Sequence, residues 1–205
     1  MPKTVHLHTP ISEADIRNLW LDDVVYITGD ACTMLYDDHF TLIMDMIKAG
    51  KPLPMQMQDS VIYHTGVLYR KKPGGEYDYR AVGATTSSKY NALTPEFIRL
   101  TGIRAIIGKG GMDDASLDAM REYGCAYLTV VGGCSAFYGP FAEVETDFWP
   151  ELTSLDNQRL KLRLKKFGPL FVGMDTRGNS IFQKNAKLTK SRLAEIYKKL
   201  KINTD

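Results

Sequence analysis

No run of apolar residues in this sequence is long enough to cross a bilayer, which takes about 20 in a helix. Its N-terminus, MPKTVHLHTPISEADI, also lacks the apolar core of a secretory signal. A cytoplasmic protein without a membrane segment is the resulting expectation. Excess charge is equally scarce: 26 Lys and Arg stand against 24 Asp and Glu, a formal net charge of +2. That balance gives no electrostatic footing for nucleic acid or an anionic membrane surface. Cysteine is sparse and odd in number. Cys32, Cys125 and Cys134 lie far apart with no CxxC pair, so they read as separate thiols and not as a disulfide framework or a metal-ligand set. HExxH, GxGxxG and P-loop spacings are absent. There is no internal repeat or low-complexity segment.

What is present suits one globular core: 44% hydrophobic and 24% charged residues in a chain of 205. One domain over residues 1–205 is expected. Ser12 caps a short helix before Ile16 and Leu19. Val24 to Ile27 is a strand ended by Gly29. A helix from about Asp38 carries Leu42, Ile43, Met46 and Ile47 on one face and stops at Gly50. Ser60 to Tyr69 reads as strand broken at Gly66, with Lys71 to Glu76 as a hairpin loop and Tyr77 to Val82 as the return. Thr94-Pro95-Glu96 starts a helix that Gly102 ends. Ala105 to Ile107 is a buried strand, followed by a helix opening at Asp113 and Asp114 and stopping at Gly124. Ala126 to Val131 and Leu170 to Met174 are further strands. Lys190 to Lys201 is a basic amphipathic helix. DNQRLKLRLKK, Asp156 to Lys166, reads as a second basic helix and a partner surface. The alternation of strand and helix predicts an α/β fold with a mainly parallel central sheet, a second antiparallel sheet from the hairpin, and outer helices.

Four loops rich in glycine or hydroxyls each follow an expected strand: Ile27 to His39, Gly83 to Tyr90, Gly108 to Met112 and Val131 to Phe137. In open α/β sheets ligands collect beyond the carboxyl ends of the strands. In GKGGM, Gly108, Gly110 and Gly111 clear side chains from around Lys109. Their backbone N–H groups and the following helix N-terminus suit an anion, and the lysine adds a compact positive charge. A carboxylate or a phosphate would answer this description. Thr85-Thr86-Ser87-Ser88-Lys89 places four hydroxyls and a cation in five positions, a set able to orient a carboxylate or a substrate hydroxyl. His64 reads as a sheet residue and His39 as the first turn of a helix.

The ordered set GDA, DDH, YHTG, GATTSSK, GKGGM, GGC and KKFGPLFVGMDTRGNS resembles the β subunits of L(+)-tartrate dehydratases and the C-terminal domains of class I, iron–sulfur fumarases. The resemblance runs from about Tyr26 to Asn185. It implies the swivelling β/β/α domain and reversible addition of water to a carbon–carbon double bond of a hydroxy acid. It also implies a [4Fe–4S] cluster supplied by a separate α subunit, so that no metal is bound by this chain, and an assembly as homodimer or α2β2. By the same resemblance Thr85, Thr86 and Lys109 are catalytic, and Ser87, Lys89, Lys109, Gly110 and Arg177 bind substrate, with Lys109 clamping a carboxylate.

Departures accompany it. Lys89 stands where the resemblance puts an arginine, which removes a bidentate fork. Leu35 stands in place of another arginine and Tyr36 in place of an aspartate. Arg177 replaces a histidine and could restore the charge. A hydro-lyase subunit with an altered substrate is therefore expected. A non-catalytic module binding a small carboxylate is the alternative, and a phosphate-binding protein built on GKGG is the reading that needs no resemblance.

Overall fold

The computed structural model describes residues 1–53, 55–73, 77–147 and 160–202. The elements run β1 (Thr4–His8), α1 (Glu13–Arg17), β2 (Val24–Thr33), α2 (Asp37–Lys48), β3 (Val61–Tyr63), β4 (Thr65–Lys71) and β5 (Tyr77–Ala84). A 3-10 turn (Ser87–Tyr90) leads to α3 (Thr94–Thr101), β6 (Ala105–Gly108), α4 (Asp114–Tyr123), β7 (Ala126–Thr129) and α5 (Ser135–Tyr138). A second 3-10 turn (Gly139–Phe141), β8 (Ala142–Asp147), β9 (Leu160–Met174) and α6 (Ile181–Leu200) complete the chain. Among the described residues no helix is long and apolar enough to cross a membrane.

The fold is α/β. The larger sheet has the order β1-β2-β3-β6-β7-β9-β8, and β4 and β5 form a second, antiparallel sheet. From β1 to β7 the large sheet is parallel. β9 runs antiparallel to β7, to β8 and to β2. Because β9 pairs with both β7 and β2, the strands β2, β3, β6, β7 and β9 close on themselves. Alternate side chains then enter two separate cores. Ile107 and Leu128 point into one with Val25, Ile27 and Phe167. Ile106 and Tyr127 point into the other, beneath α2, α3 and α4, with Phe40, Phe97 and Met120. Burial on both faces is why these strands read as continuous apolar runs.

Several helix signals act as their sequences predict. Ser12 accepts from the Asp15 N–H, and Asp113 from the Ser116 N–H, each at a helix start. Gly102 and Gly124 close α3 and α4 in the left-handed conformation. Other expectations are corrected. Gly29 does not end β2 but sits at an irregularity within it, with φ of 115°. A Cβ there would lie 2.2 Å from Thr9 Oγ1. The chain breaks at His64, between β3 and β4, and Gly66 lies inside β4. Residues 74–76 of the expected hairpin loop lie outside the described residues. α6 begins at Ile181, well before Lys190. β1 and β8 had no clear signal in the sequence.

The expected basic helix at Asp156 to Lys166 is strand from Leu160 onward, and residues 156–159 lie outside the described residues. LKLRLK has period two. Leu160, Leu162 and Leu164 are buried, while Lys161 meets Asp30 at 2.8 Å and Lys165 meets Glu143 at 2.6 Å on neighbouring strands. Alternation of this kind fits a pleated strand and defeats a helical stripe.

Arg104 ties α1, α4 and the entry to β3 together. Its side chain is only 9% exposed. Nε donates to Asp59 Oδ1 at 2.7 Å, and Nη1 donates to the carbonyls of Tyr123 and Gly124 at 2.8 and 3.2 Å, where α4 ends. Glu13 lies 3.3 Å from Nη1. Arg104→Met leaves these acceptors without a donor. A loss of about 3 kcal/mol in unfolding free energy is expected from chemical denaturation.

Candidate functional site

The parallel strands β2, β3, β6 and β7 all end at the same edge of the sheet, and the loops that follow them gather there. His64 follows β3, Lys109 follows β6, and Val130 to Cys134 follow β7. The hydroxyl loop reaches this edge from the second sheet. Thr85 N–H donates to the His64 carbonyl at 2.8 Å, and Ser87 N–H donates to the Lys109 carbonyl at 3.0 Å. Thr86 and Lys109 form an isolated parallel bridge. Thr85, Thr86 and Lys109 are thus brought side by side by backbone pairing alone.

The glycines have distinct tasks. Gly110 and Gly111 hold φ of 84° and 76°, a region that other residues enter at a cost. Gly111 also lies under the Phe182 ring, where a Cβ would come within 2.5 Å. At Gly108 a Cβ would lie 2.0 Å from Ser87 Oγ, so only glycine lets that hydroxyl reach its partners. Lys109 passes Gly132, its Cδ 3.9 Å from where a Cβ would be. It lines a cleft of about 120 Å³ with Gly83, Ala84, Val131, Gly132 and Ser135. Among the described residues no carboxylate forms an ion pair with Lys109. Among these residues the cation therefore faces the cleft with its charge uncompensated, and the cleft is smaller than a typical small-molecule pocket.

Beneath these residues lies a buried polar node. Ser87 is fully buried. Tyr127 Oη donates to Ser87 Oγ at 2.9 Å, and Ser87 Oγ lies 2.9 Å from His64 Nδ1. With tyrosine as donor, the serine proton goes to Nδ1 and the imidazole proton to Nε2. Nε2 has no hydrogen-bond partner among the described residues. The His64 ring is packed against Phe40 and Tyr90. Burial pushes its pKa down to about 3, so it is neutral and structural at physiological pH. Ser87 therefore faces inward and braces the loop, while Thr85 and Thr86 remain half-buried at its surface.

Lys89 is exposed on the 3-10 turn just after the hydroxyls. Arg177 is not brought to this edge, which corrects its expected place in the substrate site. Because β9 is antiparallel, the turn after it lies where the parallel strands begin. There Arg177 Nη1 donates to the Leu19 carbonyl at 2.7 Å, and its guanidinium covers the Trp20 ring at 3.7 Å. Leu35 gives its N–H to His39 Nδ1 at 3.3 Å and its carbonyl to the Tyr90 hydroxyl. Tyr36 is exposed and stands edge-on to His39. Burial pushes the Tyr90 phenol up to about 12, with Asp37 adding to the rise and Thr85 opposing it through a hydrogen bond. Sequence reasoning missed the partnership of His64 with Ser87. The only signal was a histidine in a strand ending, four residues after Ser60.

The three cysteines, all among the described residues, do not form a ligand set for an iron–sulfur cluster. Cys32 and Cys125 are fully buried, and burial pushes the Cys32 thiol up to about 12 and the Cys125 thiol in the same direction. Cys134 is half-buried. Among the described residues no group of three His, Cys, Asp or Glu could hold a metal ion. A larger cleft of about 350 Å³ lies between Thr9, Asp30, Gln56, Gln58 and Lys161. Its lysine is held by Asp30, so it does not offer the uncompensated charge found at Lys109.

The buried His64 makes stability depend on pH. Its pKa is about 3 in the folded chain and about 6.5 in an unfolded one. The unfolded state binds the extra proton between these values, so stability is full above about 6.5 and falls as pH drops towards 3. His64→Asn keeps an acceptor near Nδ1 and removes the titration. It is expected to flatten the pH dependence of unfolding free energy over this range by a few kcal/mol, as read from denaturant titrations at successive pH values. An unchanged slope contradicts the assignment.

The sequence model of the Fumarase C-terminus family matches residues 1–185. The L(+)-tartrate dehydratase subunit beta of Escherichia coli strain K12 is 32% identical over 187 residues, covering 91% of this chain and 90% of that protein. A protein of Methanocaldococcus jannaschii, provisionally named an L(+)-tartrate dehydratase subunit beta, is 34% identical over 91% of this chain and 95% of its own length. A Geobacillus stearothermophilus protein provisionally named a class I fumarate hydratase is 31% identical over 94% of this chain, which spans 36% of it. With the family matched along residues 1–185 and these identities spread over nine-tenths of the chain, the protein belongs to the Fumarase C-terminus family of hydro-lyases.

Proposed function

We propose that this chain is the β subunit of a hydro-lyase of the fumarate and tartrate dehydratase type, one such domain over residues 1–205, acting in the cytoplasm. It binds a hydroxy acid and closes over a [4Fe–4S] cluster held by a separate α subunit, in a homodimeric or α2β2 assembly. The observation that carries this reading is Lys109: an uncompensated cation in a glycine loop, paired edge to edge with Thr86 beneath a small cleft. A cleft of about 120 Å³ takes a carboxylate and its nearest carbons and leaves the rest of the substrate to a second surface. The two relatives named as β subunits are matched over nine-tenths of their lengths, and the name itself supports a partner.

Each residue has a physical task in this reading. Lys109 Nζ binds one substrate carboxylate, and the N–H groups around Gly110 supply neutral donors beside it. Thr85 and Thr86 hydroxyls orient the substrate and can pass a proton only with a base beside them, which the partner subunit supplies. Ser87 holds the loop from below through His64 and Tyr127. Lys89 is exposed next to the hydroxyls and offers a monodentate cation for a second carboxylate. Arg177, at the other end of the sheet, takes no part. The cluster, on the partner, would supply the Lewis acid for the leaving hydroxyl. Leu35 and Tyr36 make part of the site less charged, which favours a bulkier or less charged acid than tartrate. The same features also suit a module that binds a small carboxylate without turnover.

Anaerobic co-purification with the cluster-bearing partner, followed by dehydration assays on malate, tartrate and bulkier hydroxy acids, decides between the two. Turnover supports the hydro-lyase reading. A cluster-loaded complex that binds a hydroxy acid and never turns it over supports the binding module. In the active complex, Lys109→Met is expected to lower kcat/KM at least about 100-fold with little change in melting temperature. Full activity in that variant rules out Lys109 as the carboxylate clamp.

A further inference from the structure

Helix α6 leaves the body of the protein after its first turn. Phe182 packs against Tyr127 and over Gly111, and Gln183 Nε2 donates to Asp114 Oδ1 at 2.6 Å. From Lys184 to Leu193 every residue is exposed, on all faces of the helix. The exposed set includes Leu188, Leu193, Ile196 and Leu200, at 47, 36, 42 and 64%. Residues 186–200 lie beyond the stretch that the family model matches. A helix standing in water over several turns draws little stability from its own hydrogen bonds.

Its pattern is ordered. Phe182, Ala186, Thr189, Leu193, Ile196 and Leu200 follow alternating steps of four and three, the a and d positions of a heptad. Such a narrow stripe is the seam that another helix fits, whereas a membrane-surface helix shows a broader face with Trp or Phe. The flanking e and g positions from Lys190 onward are Lys190, Arg192, Tyr197 and Lys199. Lys199 also holds Glu195 at 2.6 Å along the helix. Between Lys184 and Lys201 there are seven basic residues and one acidic one, whereas the remainder of the chain holds more acidic than basic residues. A parallel pairing of two copies would lay two strongly basic segments side by side, which disfavours a homodimer through this helix.

We propose that the outer part of α6 is a docking helix for a protein partner that presents a helical surface with an apolar seam and acidic flanks. Leu193, Ile196 and Leu200 supply the buried seam, and Lys190, Arg192 and Lys199 select the partner by charge. The inference is independent of the catalytic reading, since none of these residues lines the Lys109 cleft.

The full-length protein is titrated with two labelled synthetic peptides of about four heptads. Both carry Glu at e and g. One has Leu and Ile at a and d, and the other has Gln there. The first is expected to bind saturably, at least about tenfold more tightly than the second, and to weaken as salt rises. Leu193→Asp with Ile196→Asp, in an exposed segment, should lose at least about tenfold in affinity without changing the melting temperature. The charge-reversed Lys190→Glu, Arg192→Glu, Lys199→Glu chain should prefer the same seam flanked by lysine. Equal binding of both peptides, or none, overturns the proposal. So does binding to phosphatidylserine vesicles in place of the peptide, or a concentration-dependent dimer in sedimentation that Leu193→Asp abolishes.

Discussion

The long strand β9 is the constraint on which the rest of the structure rests. The parallel strands β2, β3, β6 and β7 are linked by crossovers, and β2 and β7 at the two ends of the set do not pair with each other. β9 solves this by running antiparallel and pairing along its length with β2, β7 and β8. Its alternating sequence makes that possible: leucines fill the interior of the closed strands while lysines and arginine meet Asp30 and Glu143 outside. Once β9 is fixed, the ends of β2 and β7 are fixed, and β3 and β6 fill the interval. The carboxyl ends of four parallel strands then share one edge. The same antiparallel direction carries the turn at Arg177 to the opposite edge, so one strand both assembles the site and excludes that residue from it.

At the site edge the organising group is not one that faces the cleft. Ser87 joins the ends of three elements: His64 after β3, Tyr127 from β7 and, through its N–H, Lys109 after β6. Ser87, His64 and Tyr127 are buried, so breaking one of the bonds among them would cost much of the free energy of a desolvated polar group. The network can exist only because residue 108 has no side chain. The glycines of GKGGM therefore serve two ends at once. Gly108 admits the brace below, and Gly110 and Gly111 shape the backbone beside Lys109 above. An imidazole held neutral by burial suits such a brace, since a charged one would repel the lysine nearby.

Local signals in the sequence were enough for most helices and for the buried strands, because capping residues and apolar runs act over a few positions. Ser12, Asp113, Gly102 and Gly124 each do at their helix end what their chemistry predicts. What was not legible depends on partners far along the chain. Gly29 reads as a stop until Thr9 is seen beside it. LKLRLKK reads as a basic helix when its charge is weighed above its period. Arg177 looks available as a replacement charge until the direction of β9 is known. The motif order pointed to Thr85, Thr86 and Lys109 as neighbours, and the backbone bridge between Thr86 and Lys109 joins them. The same reasoning set Ser87 with the exposed hydroxyls, because a row of four hydroxyls gives no hint of which one turns inward.

The position of Leu35 separates scaffold from selectivity. The fold uses this residue through its backbone, whose N–H meets His39 and whose carbonyl meets Tyr90. Its side chain makes a looser contact, near Gly66, where even an added Cβ would only reach ordinary van der Waals distance. Both bonds use backbone atoms, so neither requires leucine at position 35. The backbone around Lys109 has less freedom, since Gly110 and Gly111 hold positive φ and Gly108 and Gly111 leave room for Ser87 and Phe182. In the function proposed above, variation in the charge presented to a substrate can then collect at position 35 and at Lys89, while the loop around Lys109 stays constant. On that reading a change of substrate costs the fold least at those two positions.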